Sequence, residues 1–334
     1  MKFDRLISTL ETHTAGEPTR IVVGGIPFVP GPTMLDKRRY LEDNLETVRT
    51  SLMQEPRGHS NMYGAILTPP VSDDASFGVI FMDTTGYWNM CGHGTIGVVT
   101  AVVETGMVDK KSPTTTIKLD TVAGPILAYA HIKNEAVTSV TVRNVPAFWQ
   151  KFAEIEVPQI GTVTCDVAYG GNFCAIVDAD AIGIKVERKN LKKLIEVGMS
   201  IRKAANQQIE LQHPEKPFVN EIHHVQICSK LKHAKDHVRN VVVSGEKQAD
   251  RSPCGTATCA LMATLYHKQR LALNHPFVSE SIIGTAFNGK LVSPSRIGGS
   301  IDAVIPEITG SAYLTGFYLH LISSDDPLKH GFLV

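Results

Sequence analysis

The chain has 334 residues, of which 43% are hydrophobic and 20% are charged. The 33 Lys and Arg residues balance the 33 Asp and Glu residues, so the formal net charge is zero. This composition excludes a disordered chain and gives no indication of a nucleic-acid or anionic-membrane partner. The length predicts two domains of ordinary size.

The start of the chain carries acidic residues at Asp4, Glu11 and Glu17, which interrupt any signal-peptide core. No stretch reaches the roughly 18 apolar residues that a membrane-spanning helix needs. The six cysteines form no Cys-x-x-Cys pair, which argues against a disulfide framework or a zinc ribbon. We therefore expect a cytoplasmic protein with free thiols and without a bound metal.

Short β-branched stretches bounded by Gly, Pro or Asp predict strands along most of the chain. They lie at 20–23, 64–67, 78–81, 116–119, 139–142, 162–167 and 240–243. Amphipathic patterns predict helices over 37–54 and 190–208. Nearly uncharged patterns predict buried helices over 95–105 and 256–269, each directly after a cysteine. Residues 95–105 are rich in Val, Thr and Ile, so propensity alone would favour a strand there. A domain boundary is expected near 145–155.

Two motifs of the form Cys-Gly-x-small-Thr occur, at 91–95 and 254–258, one in each half of the chain. Each precedes one of the predicted buried helices. This repetition predicts two similar halves, each with one cysteine at a helix N-terminus. The alternative to a catalytic role is a structural one, in which a free cysteine packs as a small buried hydrophobic residue. We expect this structural role for Cys165, Cys174, Cys228 and Cys259.

The chemistry of such a cysteine follows from its position. The start of a helix offers unpaired N–H groups and a positive dipole end, which favour a bound carboxylate and a thiolate. A glycine directly after the cysteine lets the backbone approach a ligand closely. If the halves face each other, one sulfur would take a proton from a carbon while the other delivers one from the far side. Racemisation without a cofactor needs this geometry.

Other motifs in the sequence are weaker. Residues 92–97 spell G-x-G-x-x-G, with Asp120 beyond, but no strand directly precedes them as a dinucleotide site requires. His59, His93, His223 and His224 lie at no convincing metal-ligand spacing. A cysteine hydrolase would need one thiolate and a histidine, and would leave the second cysteine without a role.

The two cysteine motifs, MCGHGTIG at 90–97 and DRSPCGT at 250–256, closely resemble those of the proline racemase family. That family includes proline racemases, hydroxyproline 2-epimerases and trans-3-hydroxyproline dehydratases. Further matching segments span both ends of the chain in order: HTAGEPTR at 13–20, EPRGH at 55–59, YGGNF at 169–173, and ITGSAY through DPLKHGF from 308 to 332.

The resemblance implies an α/β fold like that of diaminopimelate epimerase, with two pseudo-symmetric domains that each curl a mixed β-sheet around a central helix. The expected domains are 1–150, joined by the returning C-terminal segment 310–334, and 151–309. The resemblance also implies a homodimer, an imino acid as the small-molecule partner, and no cofactor.

The resemblance assigns Cys91 and Cys254 as the paired acid and base. His93 and Asp250 would hold the ring nitrogen of the substrate, although either side chain could instead have a structural role. The substrate carboxylate would be held by N–H groups around Gly92, His93, Gly255 and Thr256.

Family dehydratases typically keep one catalytic thiol and have Thr or Ser in place of the other. Retention of both cysteines favours inversion at Cα, with trans-3-hydroxy-L-proline dehydration as the alternative. A third hypothesis is an imino-acid binding protein without catalytic activity.

The ring-enclosing positions differ from those of proline-specific members, which have Phe at two of them. Tyr63 and Ser244 stand at those two positions, and His224 aligns with a third wall position. These polar side chains favour a hydroxylated ring over proline, because buried polar groups need partners. These polar residues would also be compatible with proline if water filled the space beside the ring or if the side chains turned away from it. The sequence therefore leaves both proline and hydroxyproline as possible substrates.

Overall fold

The computed structural model describes residues 2–229, 231 and 236–334. The chain divides into two compact units. Unit 1 consists of Met1–Val142 and Gly310–Val334, and unit 2 consists of Arg143–Thr309. The boundary lies a little before the expected residue 150, because the strand that begins at Phe148 pairs within unit 2.

The described residues contain eighteen strands, five α-helices and two short 3-10 helices, Ala179–Ile182 and Arg188–Asn190. From the start of the chain these are β1 (Phe3–Thr14), β2 (Glu17–Gly24), α1 (Met34–Asn44), α2 (Glu46–Met53), β3 (Tyr63–Thr68), β4 (Phe77–Asp83), β5 (Tyr87–Trp88), α3 (Gly92–Glu104), β6 (Thr114–Thr121), β7 (Gly124–Lys133) and β8 (Ala136–Arg143). They continue with β9 (Phe148–Val157), β10 (Gly161–Tyr169), β11 (Phe173–Asp178), α4 (Leu191–Gln208), β12 (Ile222–Cys228), β13 (His237–Ser244), β14 (Gln248–Ala249), α5 (Gly255–His267), β15 (Phe277–Glu280), β16 (Ala286–Ile297), β17 (Ile301–Gly310) and β18 (Ala312–Ser323).

The two units repeat one strand order. In unit 1 the order is β18-β1-β2-β3-β4-β6-β7, with β2–β3 and β4–β6 parallel and the other pairs antiparallel. In unit 2 the order is β9-β10-β11-β12-β13-β15-β16, with β11–β12 and β13–β15 parallel. Each unit is therefore a mixed sheet, and β18 is the counterpart of β9. The short strands β5 and β14, which precede the two cysteines, also correspond.

Each unit has a fully buried helix at its centre. Helix α3 is buried from Gly92 to Val103 and contacts β1, β2, β3, β7 and β18. Helix α5 is buried from Gly255 to Leu265 and contacts β9, β10, β11 and β16. Contacts with strands from several parts of one sheet require that the sheet curl around the helix. The predicted α/β fold, with a mixed sheet around a central helix, is confirmed.

The predicted strands all lie within observed strands, and three of the four predicted helices are single helices. The helix predicted over 37–54 is wrong at Leu45, where φ is −132° and the chain divides into α1 and α2. Asn44 ends α1 and its side chain donates a hydrogen bond to the Tyr40 carbonyl, an arrangement that competes with helix continuation. No helix in the described part of the chain combines the length and apolar character needed to cross a membrane.

Candidate active site

Cys91 lies at the N-terminus of α3, directly after the turn that follows β5. Its backbone is extended, with φ −141° and ψ 117°, and the residue is 7% exposed. The Cys91 Sγ atom is 3.3 Å from Nδ1 of His93. The thiol therefore has an imidazole as proton partner and the positive end of α3 beside it, and both favour the thiolate.

His93 is held in place from two sides. Its carbonyl accepts a 2.9 Å hydrogen bond from Oγ1 of Thr14 on β1, and its ring meets the Tyr63 ring edge-on with centroids 4.9 Å apart. Thus the structure brings three predicted residues of unit 1 together: Tyr63, Cys91 and His93. The resemblance assigned His93 to the substrate nitrogen, and the structure adds its contact with the thiol.

Gly94 provides space for the Cys91 thiol. A Cβ atom at this position would lie 3.1 Å from Cys91 Sγ and 3.0 Å from the Phe81 ring. Ala257 stands at the corresponding position of α5. The two motifs are therefore not interchangeable at this position.

Cys254 has the corresponding position at the start of α5, but its backbone differs. Its φ is +61° and its ψ is 109°, which lies outside the small left-handed well open to L-residues. The Cys254 N–H donates a 3.1 Å hydrogen bond to Ser252 Oγ, and the Ser252 N–H donates a 2.8 Å bond to Oδ1 of Asp250. Asp250 therefore does stabilise the turn before Cys254.

A chain of buried polar side chains holds the peptide that precedes Cys254. Oγ1 of Thr258 donates to the Pro253 carbonyl at 3.3 Å and lies 3.0 Å from Ser279 Oγ. Ser279 Oγ in turn accepts a 2.9 Å bond from Nδ2 of Asn240 on β13. Sequence reasoning missed Ser279 and Asn240, and it noted Thr258 only as the last residue of the motif. We call these three residues the Cys254 tether.

The surroundings of Cys254 favour the protonated thiol. Burial raises its pKa well above the ordinary value, and the charge of Asp250 adds to this effect. The Ala257 N–H and the Thr256 hydroxyl, whose Oγ1 is 3.6 Å from Sγ, act in the opposite direction. Burial and the charge of Asp250 together favour the neutral thiol.

The remaining predicted residues of unit 2 lie at neighbouring strand ends. His224 is on β12 and Ser244 ends β13, and the antiparallel ladder of these strands reaches Val225 opposite Val243. Ser244 is also paired with Gln248, two residues before Asp250. Both side chains are buried. Gly255 is the first residue of α5, as Gly92 is of α3.

The weaker motifs acquire structural explanations. Asp120 accepts hydrogen bonds from the N–H groups of Val71 and Ser72 and from the Ser72 hydroxyl, so it stabilises a turn. The glycines of 92–97 begin and line α3, and Gly97 approaches Oγ1 of Thr12 closely. Burial raises the pKa of the thiols outside the motifs, to about 12 for Cys165 and Cys259, which keeps them unreactive.

Comparison with known proteins identifies the family. A family model described as proline racemase matches residues 9–333. The chain belongs to the proline racemase family. It is 48% identical to the proline racemase of Acetoanaerobium sticklandii and 42% identical to the trans-3-hydroxy-L-proline dehydratase of Azospirillum brasilense, with 100% of each chain covered in both cases.

A solved structure extends this family resemblance to the fold. The hydroxyproline epimerase of Agrobacterium vitis, crystallised with bound trans-4-hydroxy-L-proline, superposes with a TM-score of 0.94. The two sequences are 32% identical, and the match covers 100% of this chain and 96% of the epimerase. This chain therefore has the architecture of that epimerase.

Proposed function

We propose that the protein is a cofactor-independent racemase or epimerase that inverts Cα of proline or hydroxyproline. The observation that carries the proposal is that equivalent buried helices of two equivalent units each begin directly after a cysteine. Relatives with racemase and dehydratase activity support a cyclic imino acid as the substrate.

In the proposed reaction, one sulfur as thiolate removes the Cα proton and the other, as thiol, delivers a proton to the opposite face. The Cα–H bond breaks and an S–H bond forms on one side, while the reverse occurs on the other, so atoms and charge balance. The N–H groups at the starts of α3 and α5 would stabilise negative charge on the substrate carboxylate as the carbanion develops. A turnover near 10 per second requires a barrier of about 16 kcal/mol.

The two thiols must be in opposite protonation states at any moment. Both thiols are buried, so the difference comes from their neighbours: contact with His93 favours the thiolate at Cys91, whereas the charge of Asp250 favours the thiol at Cys254. We propose that the enantiomer with its Cα proton towards Cys91 is the one that the resting enzyme can process. The other enantiomer requires that the proton first move to Cys91.

We propose hydroxyproline as the preferred substrate. At the positions that the resemblance assigns to the ring wall, this chain has the polar residues Tyr63, His224 and Ser244, from which an apolar ring would gain nothing. All three are buried, and Tyr63 contacts His93 directly. Tyr63→Phe should shift the ratio of kcat/KM values towards proline by roughly 5- to 150-fold, which corresponds to one buried hydrogen bond of about 1–3 kcal/mol. Tyr40→Phe on α1 is the matched control and should leave the ratio unchanged.

Deuterium incorporation at Cα tests the reaction. The reduced protein is incubated in heavy water with L-proline and separately with trans-4-hydroxy-L-proline, and exchange and inversion are followed by proton NMR and chiral chromatography. Cys91→Ser and Cys254→Ser should each abolish inversion, while Cys259→Ser, on the same helix as Cys254, should retain it. Undiminished inversion in either catalytic variant would disprove the two-thiol mechanism. Binding without exchange would favour an inactive binding protein.

The alternative function is dehydration of trans-3-hydroxy-L-proline, which a 42% identical relative supports. Its product cyclises to an imine that borohydride traps. We expect no trapped product, because the chain keeps both cysteines where dehydratases typically keep one. Trapped product together with no exchange of the other two substrates would establish the dehydratase instead.

The assembly and setting expected from the resemblance are also proposals. We propose a homodimer, and we propose a reducing compartment such as the cytoplasm because the reaction needs both thiols reduced. All six cysteines are free and buried in the structure.

A further inference from the structure

A glutamine in the core of unit 2 has no protein partner for its side chain. Gln226, on β12, is fully buried, and neither Oε1 nor Nε2 of its amide has a hydrogen-bond partner among the described residues. Most buried polar side chains in native proteins are paired, because an unpaired buried amide is costly. An apolar residue of similar size would avoid this cost. The Gln226 amide therefore needs a partner that the fold itself does not supply.

The inner face of the unit 2 sheet carries this amide. On β13, Val243 packs against α4, because a Cβ atom on Gly198 of that helix would lie 2.7 Å from Cγ2 of Val243. Neighbouring residues of a strand point to opposite faces, so Val242 points away from α4 and towards α5. Gln226 is directly opposite Val242 in the antiparallel ladder and shares its face. Asn240, two residues before Val242, belongs to the Cys254 tether and so also faces α5.

The neighbours of Gln226 on this face leave one direction for a partner. Ile176 on β11 and Val242 on β13 flank it across the two ladders, and both are apolar and buried. Along its own strand, Gln226 lies two residues from His224, or roughly 6.6 Å. The ladder of β12 with β13 places His224 beside Ser244. The amide can lean along the strand towards these two residues, which the resemblance assigns to the wall of the substrate ring.

We propose that the Gln226 amide binds the ring hydroxyl of a hydroxylated imino acid and so determines the specificity of the site. This inference rests on the proposed function, because it takes the substrate ring to lie at His224 and Ser244. A hydroxyl donates one hydrogen bond and accepts two, so it can pair with either end of the amide and also with Tyr63. The ring methylene of proline can pair with none of these groups.

The discrimination comes from what proline leaves unpaired. A site with a buried hydrogen-bonding group rejects an analogue that lacks the matching hydroxyl, because the group of the site then stays without a partner. The apolar flanks of Gln226 strengthen this effect, since neither Ile176 nor Val242 can take the place of the hydroxyl. Gln226 thus acts as a specificity residue that takes no part in proton transfer.

Gln226→Met tests the proposal through the ratio of kcat/KM for trans-4-hydroxy-L-proline to kcat/KM for L-proline. Methionine has a similar size and flexibility but lacks the amide donors and the strong acceptor. The ratio should fall roughly 5- to 150-fold, as expected for one buried hydrogen bond. The melting temperature of the free protein should not fall, because Gln226→Met removes no hydrogen bond between protein groups. A clear fall would show a structural role instead.

The matched control is Gln150→Met. Gln150 lies on β9 of the same unit, and its Oε1 atom also has no partner among the described residues. This variant should keep the wild-type ratio. An unchanged ratio in Gln226→Met would overturn the role of Gln226 and leave the racemase or epimerase function intact. Failure of the wild type to exchange either imino acid would instead contradict the proposed function.

A crystal structure of the wild type with trans-4-hydroxy-L-proline requires neither turnover nor a variant. It therefore stays decisive if Gln226→Met does not fold or if the wild type is inactive. The ring hydroxyl should lie within about 2.5–3.2 Å of Oε1 or Nε2 of Gln226. A hydroxyl that points away from Gln226, or a protein that does not bind hydroxyproline, would overturn the proposal.

Discussion

Thr258 should control the position of the Cys254 thiol without touching the substrate. Its Oγ1 joins the Pro253 carbonyl to Ser279, and Pro253 immediately precedes a residue at φ +61°. Thr258→Val removes this hydroxyl while nearly conserving volume. The Pro253 carbonyl then loses a buried hydrogen bond, which should lower the free energy of unfolding by about 1–3 kcal/mol.

The effect on catalysis should be larger than a general loss of stability explains. Once the preceding peptide is released, the strained Cys254 backbone can relax and move its sulfur, and displacements of about 1 Å can cost about 100-fold in rate. We expect kcat to fall roughly 10- to 100-fold, equivalent to about 1.4–2.7 kcal/mol, with little change in KM. The assay is inversion of the preferred imino acid at saturating concentrations.

Alkylation by iodoacetamide, mapped by mass spectrometry over a pH series, gives a readout that is independent of turnover. The pH dependence of the alkylation rate of Cys254 should shift in Thr258→Val. The alkylation rate of Cys91 in the same molecule serves as the internal reference. Thr264→Val is the matched control, because Thr264 is buried on the same helix and donates to the Ala260 carbonyl instead. The reasoning fails if Thr258→Val keeps wild-type kcat and Cys254 reactivity, or if Thr264→Val behaves identically.

Three further predictions concern individual side chains. Cys254→Gly should unfold at higher urea concentration than Cys91→Gly, by an equivalent of about 1–3 kcal/mol, because only the Cys254 backbone is strained. Gly94→Ala should slow alkylation of Cys91 and lower kcat about 10-fold, since the added methyl group would lie 3.1 Å from Sγ. Burial lowers the pKa of His213 to about 4. The free energy of unfolding should therefore fall by at most about 3 kcal/mol as the pH drops from about 6.5 to about 4. The fall should be smaller in His213→Asn.

Each of these has a definite contrary result. Equal stability of Cys254→Gly and Cys91→Gly would show that the Cys254 backbone is not strained. Unaltered alkylation of Cys91 in Gly94→Ala would show that the thiol does not need the space beside Gly94. For His213 the sign follows from the unfolded chain, which binds the proton near pH 6.5 while the folded protein does not. A melting temperature with the same pH dependence in wild type and His213→Asn would show that other groups cause the acid lability.

The sequence predicted what local patterns encode. The apolar runs after the two cysteines identified α3 and α5 as buried helices, and the repeated motif correctly placed a cysteine before each. The α/β fold with a mixed sheet around a helix followed from the family resemblance, and the structure confirms it. The single helix over 37–54 was wrong because the break at Leu45 leaves no strong local signal.

Long-range contacts could not be predicted in this way. The Cys254 tether joins residues from β13, β15 and α5 that are far apart in the chain, and nothing near Thr258 indicates Ser279 as its partner. The different backbone dihedral angles of Cys91 and Cys254 could not be predicted either, because both cysteines are followed by glycine. The pairing order that relates the two units became visible only with the strands in place, since outside the motif their sequences share no obvious repeat.

The return of the C-terminal segment to unit 1 affects the order in which the protein is made and folds. β1 is flanked by β2 on one side and by β18 on the other, so its second partner is synthesised about 300 residues later. At about 5–20 residues per second, the interval is roughly 15–60 s. Unit 2 is continuous in sequence and leaves the ribosome complete before unit 1 can close. The edge of β1 that pairs with β18 therefore stays unpaired in the nascent chain until β18 has been translated.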